Sequence, residues 1–144
     1  MSDVLTLSQI KMPGTARSKD DAIREAGQML VDVDAVNPSY IDSMFDRERS
    51  VSTYMGNYLA IPHGTNESKE SIKRSALSVI RYAEPIDWDG NEVLFALGIA
   101  GYQGGHMDIL SRIAIVFSDT DEVDKLVAAG SAQEIYDLLN AVNE

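Results

Sequence analysis

The sequence predicts an α/β fold in which a central mixed β-sheet of about four to five strands is covered by helices on both faces. Short apolar runs typical of strands alternate along the chain with segments whose apolar residues recur at helical spacing. The 144 residues are enough to bury one continuous core, and no repeat, low-complexity tract or Pro/Gly/Ser-rich linker divides them. We therefore expect residues 1–144 to form a single domain in a separate polypeptide. The order of the strands cannot be read from one sequence.

The first part of the chain predicts an edge strand followed by two helices. Residues 4–10 alternate weakly between apolar and polar, which fits an edge strand. Ser18 is a candidate helix N-cap, and apolar residues at helical spacing follow it. A second helix is predicted to open with Asn37 as its cap and Pro38 at its first position, and to continue to residue 49.

The middle of the chain predicts three strands and a short helix. Residues 58–61 are a short apolar run that Pro62 ends, because proline pushes the preceding residue into an extended conformation. Residues 66–74 predict a short helix, with acidic residues early and basic residues late as the helix dipole prefers. Residues 77–82 and 93–100 predict two more strands joined by a turn at 87–91.

The last third of the chain predicts three helices, which follow a glycine-rich segment at residues 101–105. The apolar residues of each helix recur three or four positions apart, as one face of a helix requires. They are Leu110, Ile113, Ala114 and Phe117 in the first, Val123, Leu126 and Val127 in the second, and Ile135, Leu138, Leu139 and Val142 in the third.

Composition and charge exclude several classes of function. The net charge of −11 argues against binding to nucleic acid or to anionic membranes. No apolar run approaches the roughly 20 residues of a membrane span, and the N-terminus does not resemble a secretory signal. The absence of cysteine excludes disulfides, thiolate metal sites and cysteine nucleophiles. We expect a cytoplasmic protein with no direct membrane insertion.

The two histidines of the chain, His63 and His106, are the first candidates for chemistry. Each follows a predicted strand at the point where a helix is predicted to begin, and functional sites in α/β sheets gather in such loops. The two residues lie 43 positions apart, so they cannot share a helix face. They can still meet if their strands are neighbours in the sheet.

The residues around His63 suit phosphate chemistry. Gly64 has no Cβ and lets a bulky anion approach, and the predicted helix start at Thr65 and Asn66 offers free N–H groups. Neutral imidazole is the natural nucleophile near pH 7. One ring nitrogen can attack phosphorus while the other donates its proton to a carbonyl. The tripeptide Pro62-His63-Gly64 alone is weak evidence, because it is more often an ordinary loop segment.

A longer match connects these residues to a known family. Residues 59–65, with the sequence LAIPHGT, resemble the active-site segment of enzyme IIA in the mannitol/fructose branch of the bacterial sugar phosphotransferase system. Residues 44–48 (MFDRE) resemble that family's helix-end Asp-Arg-Glu segment, and residues 53–56 (TYMG) are also similar to it. Residues 105–107 (GHM) fall where the family carries its second histidine. The resemblance spans essentially the whole chain.

The resemblance implies a phosphotransferase that works through a phosphohistidine. In that family the histidine matching His63 receives a phosphoryl group on Nε2 from the phosphocarrier protein HPr. It passes the group to an enzyme IIB domain, which phosphorylates the sugar as the membrane IIC domain transports it. The residues matching Arg47 and His106 lie beside the phosphorylated ring. The residues after His63, Gly64 and Thr65, are more similar to the mannitol type than to the fructose or nitrogen-regulatory types.

The chemistry of Arg47 and His106 is compatible with those implied roles. Phosphoryl transfer spreads charge over three equatorial oxygens, which both side chains can hydrogen-bond. Arg49 is a rival for the arginine role, and Arg47 can alternatively pair with a neighbouring carboxylate. Asn57 occupies a position where some family members carry an acidic residue, which leaves a role for a carboxylate near the imidazole open.

Two other functions stay open at this point. One is a nitrogen-type regulatory IIA protein whose phosphorylation state controls a partner, and the other is a metal site formed by the two histidines and a carboxylate. No nucleotide-binding motif is present, and we expect no cofactor. The acidic residues between positions 119 and 124 are expected to be a solvated helix start. We also expect exposed apolar residues around His63 as a docking surface for HPr.

Overall fold

The computed structural model describes residues 4–65, 70–102 and 105–143. The described residues form five strands and five α-helices. The strands are β1 (Ile10–Lys11), β2 (Tyr54–Gly56), β3 (Leu59–Ala60), β4 (Ala76–Trp88) and β5 (Asn91–Ala100). The helices are α1 (Lys19–Asp32), α2 (Tyr40–Ser50), α3 (His106–Phe117), α4 (Thr120–Ala128) and α5 (Ala132–Leu139).

The strands form one mixed sheet in the order β1-β4-β5-β3-β2. Its centre is the antiparallel hairpin of β4 and β5, whose turn residues Asp89 and Gly90 have φ angles of 56° and 93°. Positive φ at both residues is typical of the two-residue type I′ turn, whose twist matches that of the paired strands. β1 joins β4 in parallel, β3 joins β5 in parallel, and β2 runs antiparallel to β3 at the edge. The predicted mixed sheet is confirmed.

The sheet separates two apolar clusters, which confirms the prediction of helices on both faces. Helices α1 and α2 cover one face, where Ile23, Leu30 and Met44 are fully buried. Helices α3, α4 and α5 cover the other face. Each fully buried aliphatic side chain stabilises the fold by about 1.5 to 3 kcal/mol relative to an exposed one, so both layers hold the sheet in place.

Helix α1 begins as predicted, whereas α2 begins later. The Ser18 hydroxyl accepts a hydrogen bond from the Asp21 N–H at 3.2 Å, which confirms Ser18 as the N-cap of α1. Helix α2 begins at Tyr40 rather than at Pro38. The Tyr40 N–H bonds the carbonyl of Asn37 three residues back, so a tight turn precedes the helix.

The helix predicted at residues 66–74 is wrong at its C-terminal end. Ile72 forms an isolated antiparallel bridge with Val36, and the N–H groups of Lys73 and Arg74 both donate to the Ala35 carbonyl. This pairing uses the N–H groups that a helix would need for its own hydrogen bonds. The first part of the predicted helix, residues 66–69, lies outside the described residues.

The two edge strands differ from the prediction. The strand predicted at residues 4–10 is confined to Ile10–Lys11, because residues 7–9 form a 3-10 turn. The buried Gln9 side chain stabilises that turn by donating to the carbonyls of Val4 and Leu77. Strand β2 was not predicted as a strand. In the part of the chain that the structure describes, no helix is long and apolar enough to cross a membrane.

Candidate active site

His63 and His106 follow two neighbouring parallel strands. β3 pairs with β5, and past the end of β3 His63 forms an isolated parallel bridge with Ile99. β5 ends at Ala100, and α3 begins at His106. The carboxyl ends of adjacent parallel strands meet at one edge of a sheet. The strands that precede the two histidines are therefore neighbours in the sheet, as an approach of the histidines requires. The side chain of His106 lies outside what the structure describes.

The ring of His63 is held in one tautomer. Its Nδ1 atom lies 2.8 Å from the carbonyl oxygen of Ile61. A carbonyl oxygen only accepts hydrogen bonds, so Nδ1 must carry the proton. In the neutral ring the lone pair then lies on Nε2, which is the nitrogen that can act as a nucleophile.

The backbone leading to His63 is fixed from both sides. The Ile61 N–H donates to the Thr53 carbonyl at 3.0 Å, and the Ile99 N–H donates to the Pro62 carbonyl at 3.1 Å. Ile61 and Pro62 are both buried. The predicted buried strand that ends at Pro62 is thereby confirmed, and His63 is presented at its exit.

Helix α2 holds the two peptide groups that follow His63. The Gly64 N–H donates to the Tyr40 hydroxyl at 2.8 Å, and this hydroxyl donates to the Ile99 carbonyl at 2.8 Å. The Thr65 N–H donates to the Ser43 hydroxyl at 2.9 Å. Tyr40 and Ser43 are one helical turn apart, so a single face of α2 faces this loop.

The expectation of a free N–H group at Thr65 was wrong, because the Ser43 hydroxyl already accepts from it. Asn66, the other residue of that expectation, lies outside the described residues. Burial raises the pKa of Tyr40 to about 12. Its hydroxyl therefore stays protonated at neutral pH and keeps donating to the sheet.

Arg47 lies on the same face of α2 as Tyr40 and Ser43. The three positions are spaced i, i+3 and i+7, which places them along one side of a helix. Arg47 is half-buried, and its Nη1 donates to the Val51 carbonyl at 2.8 Å. Within the described part of the chain Arg47 forms no ion pair, so its pairing with a neighbouring carboxylate receives no support.

Arg49 occupies a different side of the helix. Its side chain is 73% exposed and pairs with Asp46 at the same surface. Two residues after Arg47, it is rotated by about 200° around the helix axis. The side of α2 that contacts the loop after His63 therefore carries Arg47 and not Arg49.

The C-terminal end of α2 is anchored by a buried carboxylate that the sequence analysis missed. Glu48 accepts hydrogen bonds from the Thr53 N–H at 2.9 Å and from the Trp88 indole N–H at 3.1 Å. Lys19 lies 3.5 Å from the same carboxylate. The spacing of the sequence could have identified Glu48 as buried. It follows Met44, an apolar residue that is buried, by one helical turn and therefore lies on the same side of the helix. The same spacing argument identifies Tyr40, one turn before Met44.

Asn57 lies at the other end of β3 from His63. Its side-chain amide donates to the Phe117 carbonyl at 2.7 Å, at the end of α3. Asn57 and Tyr58 both have positive φ angles, of 51° and 69°, and form the turn between β2 and β3. Asn57 thus joins this turn to α3.

Three exposed apolar residues lie at the edge of the sheet where His63 emerges, and we call them the apolar rim. Val51 is 65% exposed, Tyr102 47% and Met107 59%. Val51 precedes β2, which runs antiparallel to β3 and therefore starts at the edge where β3 ends. Tyr102 follows β5, and Met107 is the second residue of α3. A surface of this kind is typical of the apolar centre of a protein interface.

The described residues contain no group of three or more His, Cys, Asp or Glu side chains that could hold a metal ion. The acidic residues at the start of α4 have local partners. Asp119 accepts a hydrogen bond from the Asp121 N–H at 3.0 Å, and Glu122 pairs with Lys125 at 3.0 Å. This segment is the solvated helix start that its composition predicted.

The sequence matches a family model over nearly its whole length. Residues 3–142 match the model described as "Phosphoenolpyruvate-dependent sugar phosphotransferase system, EIIA 2". A curated relative from Halalkalibacterium halodurans, named mannitol-specific phosphotransferase enzyme IIA component, is 50% identical over 98% of this chain and 97% of its own. A relative of the same name from Staphylococcus aureus is 47% identical over 94% of each chain.

Solved structures of related proteins have the same fold. The enzyme IIAMTL chain in the complex of enzyme IIAMTL and phosphorylated enzyme IIBMTL from Escherichia coli aligns with a TM-score of 0.89 at 28% identity, over 95% of this chain and 97% of its own. The nitrogen regulatory protein IIA-Ntr from Neisseria meningitidis aligns with a TM-score of 0.78 at 29% identity, over 94% of this chain and 96% of its own.

Proposed function

From the premise that the chain belongs to the EIIA 2 family of the phosphoenolpyruvate-dependent sugar phosphotransferase system, we propose that it accepts a phosphoryl group on His63 during mannitol uptake. As an enzyme IIA component, the chain is a phosphotransferase and a phosphoryl carrier. The observation that carries the proposal for His63 is the hydrogen bond from its Nδ1 to the Ile61 carbonyl, which leaves the lone pair of the neutral ring on Nε2.

The proposed reaction needs little covalent chemistry from the rest of the protein. Nε2 of His63 attacks the phosphorus of a phosphohistidine on the donor, so the new N–P bond forms as the donor's N–P bond breaks. The proton on Nδ1 stays in place, and the ring gains positive charge. The hydrogen bond to the Ile61 carbonyl strengthens as that charge develops, because charged donors form stronger hydrogen bonds. Transfer to the acceptor reverses these steps.

Arg47 and His106 are the proposed donors to the equatorial oxygens of the transferring group. Arginine carries five N–H donors, of which the Val51 carbonyl engages one at Nη1. Its position on the side of α2 that contacts the loop after His63 supports this role. His106 begins α3, and helix N-termini are locally electropositive, which favours an anion there.

The proposed partners are the phosphocarrier HPr as donor and the cognate enzyme IIB, with its IIC permease, as acceptor. The apolar rim supports docking at this edge of the sheet. The net charge of −11 favours partners with basic surfaces. We propose that residues 1–144 act as one IIA domain in the cytoplasm, without a cofactor.

A regulatory role of the nitrogen type has less support. Mannitol-specific components are 45 to 50% identical to this chain. The nitrogen regulatory protein from Neisseria meningitidis aligns less closely than enzyme IIAMTL does, with TM-scores of 0.78 and 0.89. Transport of mannitol is therefore the proposed setting.

The experiment that tests His63 is an in vitro phosphorelay with phosphoenolpyruvate, enzyme I and HPr. We expect acid-labile, base-stable phosphohistidine at His63 and no label on His63→Ala. His106→Ala is the matched control, and we expect it to take up label more slowly while keeping its fold. Equal labelling of His63→Ala would overturn the proposal. Adding mannitol- or fructose-type IIB and IIC partners shows which sugar is phosphorylated.

A further inference from the structure

The sheet contains an inserted side chain beside His63. A parallel bridge is normally closed by one backbone hydrogen bond on each side. On one side of His63, the Ile99 N–H donates directly to the Pro62 carbonyl at 3.1 Å. On the other side, the Tyr40 hydroxyl lies between the Gly64 N–H and the Ile99 carbonyl, at 2.8 Å from each. The Tyr40 side chain of α2 therefore marks the point where the chain after β3 leaves the sheet.

The next peptide group is held by the same helix. The Ser43 hydroxyl accepts from the Thr65 N–H at 2.9 Å and lies 3.1 Å from the Thr65 hydroxyl. Two successive peptide groups after His63 thus bond to two hydroxyls of α2, one helical turn apart. Their orientation determines the backbone direction at His63, and with it the reach of the imidazole.

We propose that Tyr40 and Ser43 are positioning residues for phosphoryl transfer, holding the two peptide groups after His63 so that its Nε2 points at the incoming phosphorus. The proposal rests on the proposed function of His63. In-line transfer requires the reacting atoms to be aligned, and a displacement of about 1 Å can slow a reaction by about 10²-fold. Neither hydroxyl has to touch the phosphoryl group for this effect.

The positioning role of Tyr40 can be separated from its packing role. The tyrosine is 2% exposed and lies in the apolar cluster beneath α1 and α2. Phenylalanine keeps the ring in that cluster and removes only the oxygen that joins Gly64 to Ile99. The raised pKa of Tyr40 means that the bridge stays intact across the neutral pH range.

Tyr82 provides a matched control for Tyr40→Phe. It is also 2% exposed, and its hydroxyl donates to the Glu25 carboxylate at 2.8 Å. It follows Arg81 on β4, and Arg81 pairs with Phe95 in the middle of β5. Tyr82 is therefore several residues away from Ile99, beside which His63 emerges. Tyr82→Phe therefore removes a buried hydroxyl without touching the candidate site.

The test measures phosphoryl transfer from phosphorylated HPr to wild type, Tyr40→Phe, Ser43→Ala and Tyr82→Phe, below the melting temperature of each. We expect kcat of Tyr40→Phe to fall by up to about 10²-fold with KM for HPr unchanged, because the buried hydroxyl is no part of a docking surface. The kcat of Ser43→Ala should also fall. Tyr82→Phe should keep the wild-type kcat, even where it lowers the melting temperature.

Nitrogen NMR of the His63 ring adds a readout that a purely structural role would not change. We expect the wild type to show only the Nδ1-protonated tautomer, and both α2 variants to show a mixture. If Tyr40→Phe does not fold, Ser43→Ala carries the test, since alanine is the best helix former.

The outcomes separate this inference from the proposed function. If wild type is labelled at His63 and both α2 variants match its kcat, the positioning role is wrong and the carrier function stands. If Tyr82→Phe loses as much kcat as Tyr40→Phe, the effect is one of stability, and the positioning role is again wrong. If wild type takes up no label at His63, the proposed function itself fails.

Discussion

At the scale of single residues, the proton on Nδ1 of His63 decides which nitrogen is available for the proposed phosphoryl transfer. An imidazole protonated at Nε2 would present a hydrogen atom to the donor's phosphorus and could not attack it through that nitrogen. The Ile61 carbonyl prevents this, because it lies 2.8 Å from Nδ1 and can only accept. The carbonyl comes from the residue two positions earlier, so the tautomer depends on a backbone conformation at His63 that keeps the ring against this carbonyl. The approach of a phosphoryl group then depends on donors from elsewhere in the fold.

Arg47→Ala tests the proposed role of Arg47 as one of these donors. We expect transfer from phosphorylated HPr to slow by about 10²- to 10³-fold, the usual loss when one donor to a developing charge is removed. The measurement is a rapid-quench time course of phosphohistidine formation. Arg49→Ala is the control and should match wild type, because Arg49 is exposed and, among the described residues, forms an ion pair only with Asp46. Equal rates in the two variants would contradict the assignment of Arg47.

At the scale of elements, α2 is the part of the fold that assembles the candidate site. Tyr40 and Ser43 bond to the loop after His63, and Arg47 lies on the same side of the helix. Its C-terminal end is tied through Glu48 to Thr53, the residue before β2, and to Trp88 of β4. The Thr53 that bonds Glu48 also receives the Ile61 N–H, so the helix and the strand before His63 share one anchor.

Glu48→Gln tests that anchor. A glutamine oxygen can replace Oε2, which accepts from the Thr53 N–H and the Trp88 indole, but the NH₂ group then faces the Thr53 hydroxyl, which donates to Oε1 in the wild type. The charge beside Lys19 is lost as well. We expect the free energy of unfolding to fall by about 1 to 3 kcal/mol, the contribution of buried hydrogen bonds to a charged group. Urea unfolding followed by the fluorescence of Trp88, the only tryptophan, and by circular dichroism measures it.

The control for this prediction is Glu92→Gln, at an exposed position on β5. Exposed substitutions of this kind usually change stability by less than about 0.5 kcal/mol. A loss in Glu48→Gln no larger than that in Glu92→Gln would show that the buried carboxylate is not an anchor.

At the scale of the whole molecule, another carboxylate, far from His63, joins helix α1 to the sheet. Glu25 of α1 accepts hydrogen bonds from Thr15, Ala16 and Tyr82, and pairs with Lys11 at 2.8 Å. This network ties the loop between β1 and α1 to β4. Burial alone would raise the pKa of Glu25, but the bonds from Lys11, Thr15 and Tyr82 outweigh it and lower the pKa to about 2.

Acid titration of stability tests the Glu25 network. A carboxylate whose pKa is lower in the folded state stabilises the fold above its unfolded value, 4.5, and this contribution is lost as pH falls toward 2. We expect wild type to be more stable than Glu25→Gln at pH 7, and this difference in stability to shrink steadily as the pH falls from 4.5 to about 2. Urea midpoints at several pH values measure it. A difference independent of pH would show that the charge of Glu25 is not what stabilises the loop.

Much of the fold was predictable because its signals are local. Ser18 caps α1, Pro62 ends the strand before His63, and Asp89 and Gly90 turn the central hairpin, each through the conformation of one or two residues. The spacing of apolar residues in α3, α4 and α5 likewise follows from helix geometry. Ile72 shows the limit, because its local pattern favours a helix, and pairing with Val36 overrides that pattern.

The candidate site was predictable only in part. The sequence by itself identified His63 as the candidate acceptor, through a resemblance carried by residues 59–65 and by the separate segments 44–48, 53–56 and 105–107. It also supplied the side-chain types that suit phosphoryl transfer. The tertiary structure decided that β3 lies beside β5, that Arg47 and not Arg49 faces the loop, and that the Tyr40 hydroxyl meets Gly64, 24 positions away. Local patterns extend over a few residues, whereas the pairing of distant elements depends on how the whole chain buries its apolar surface.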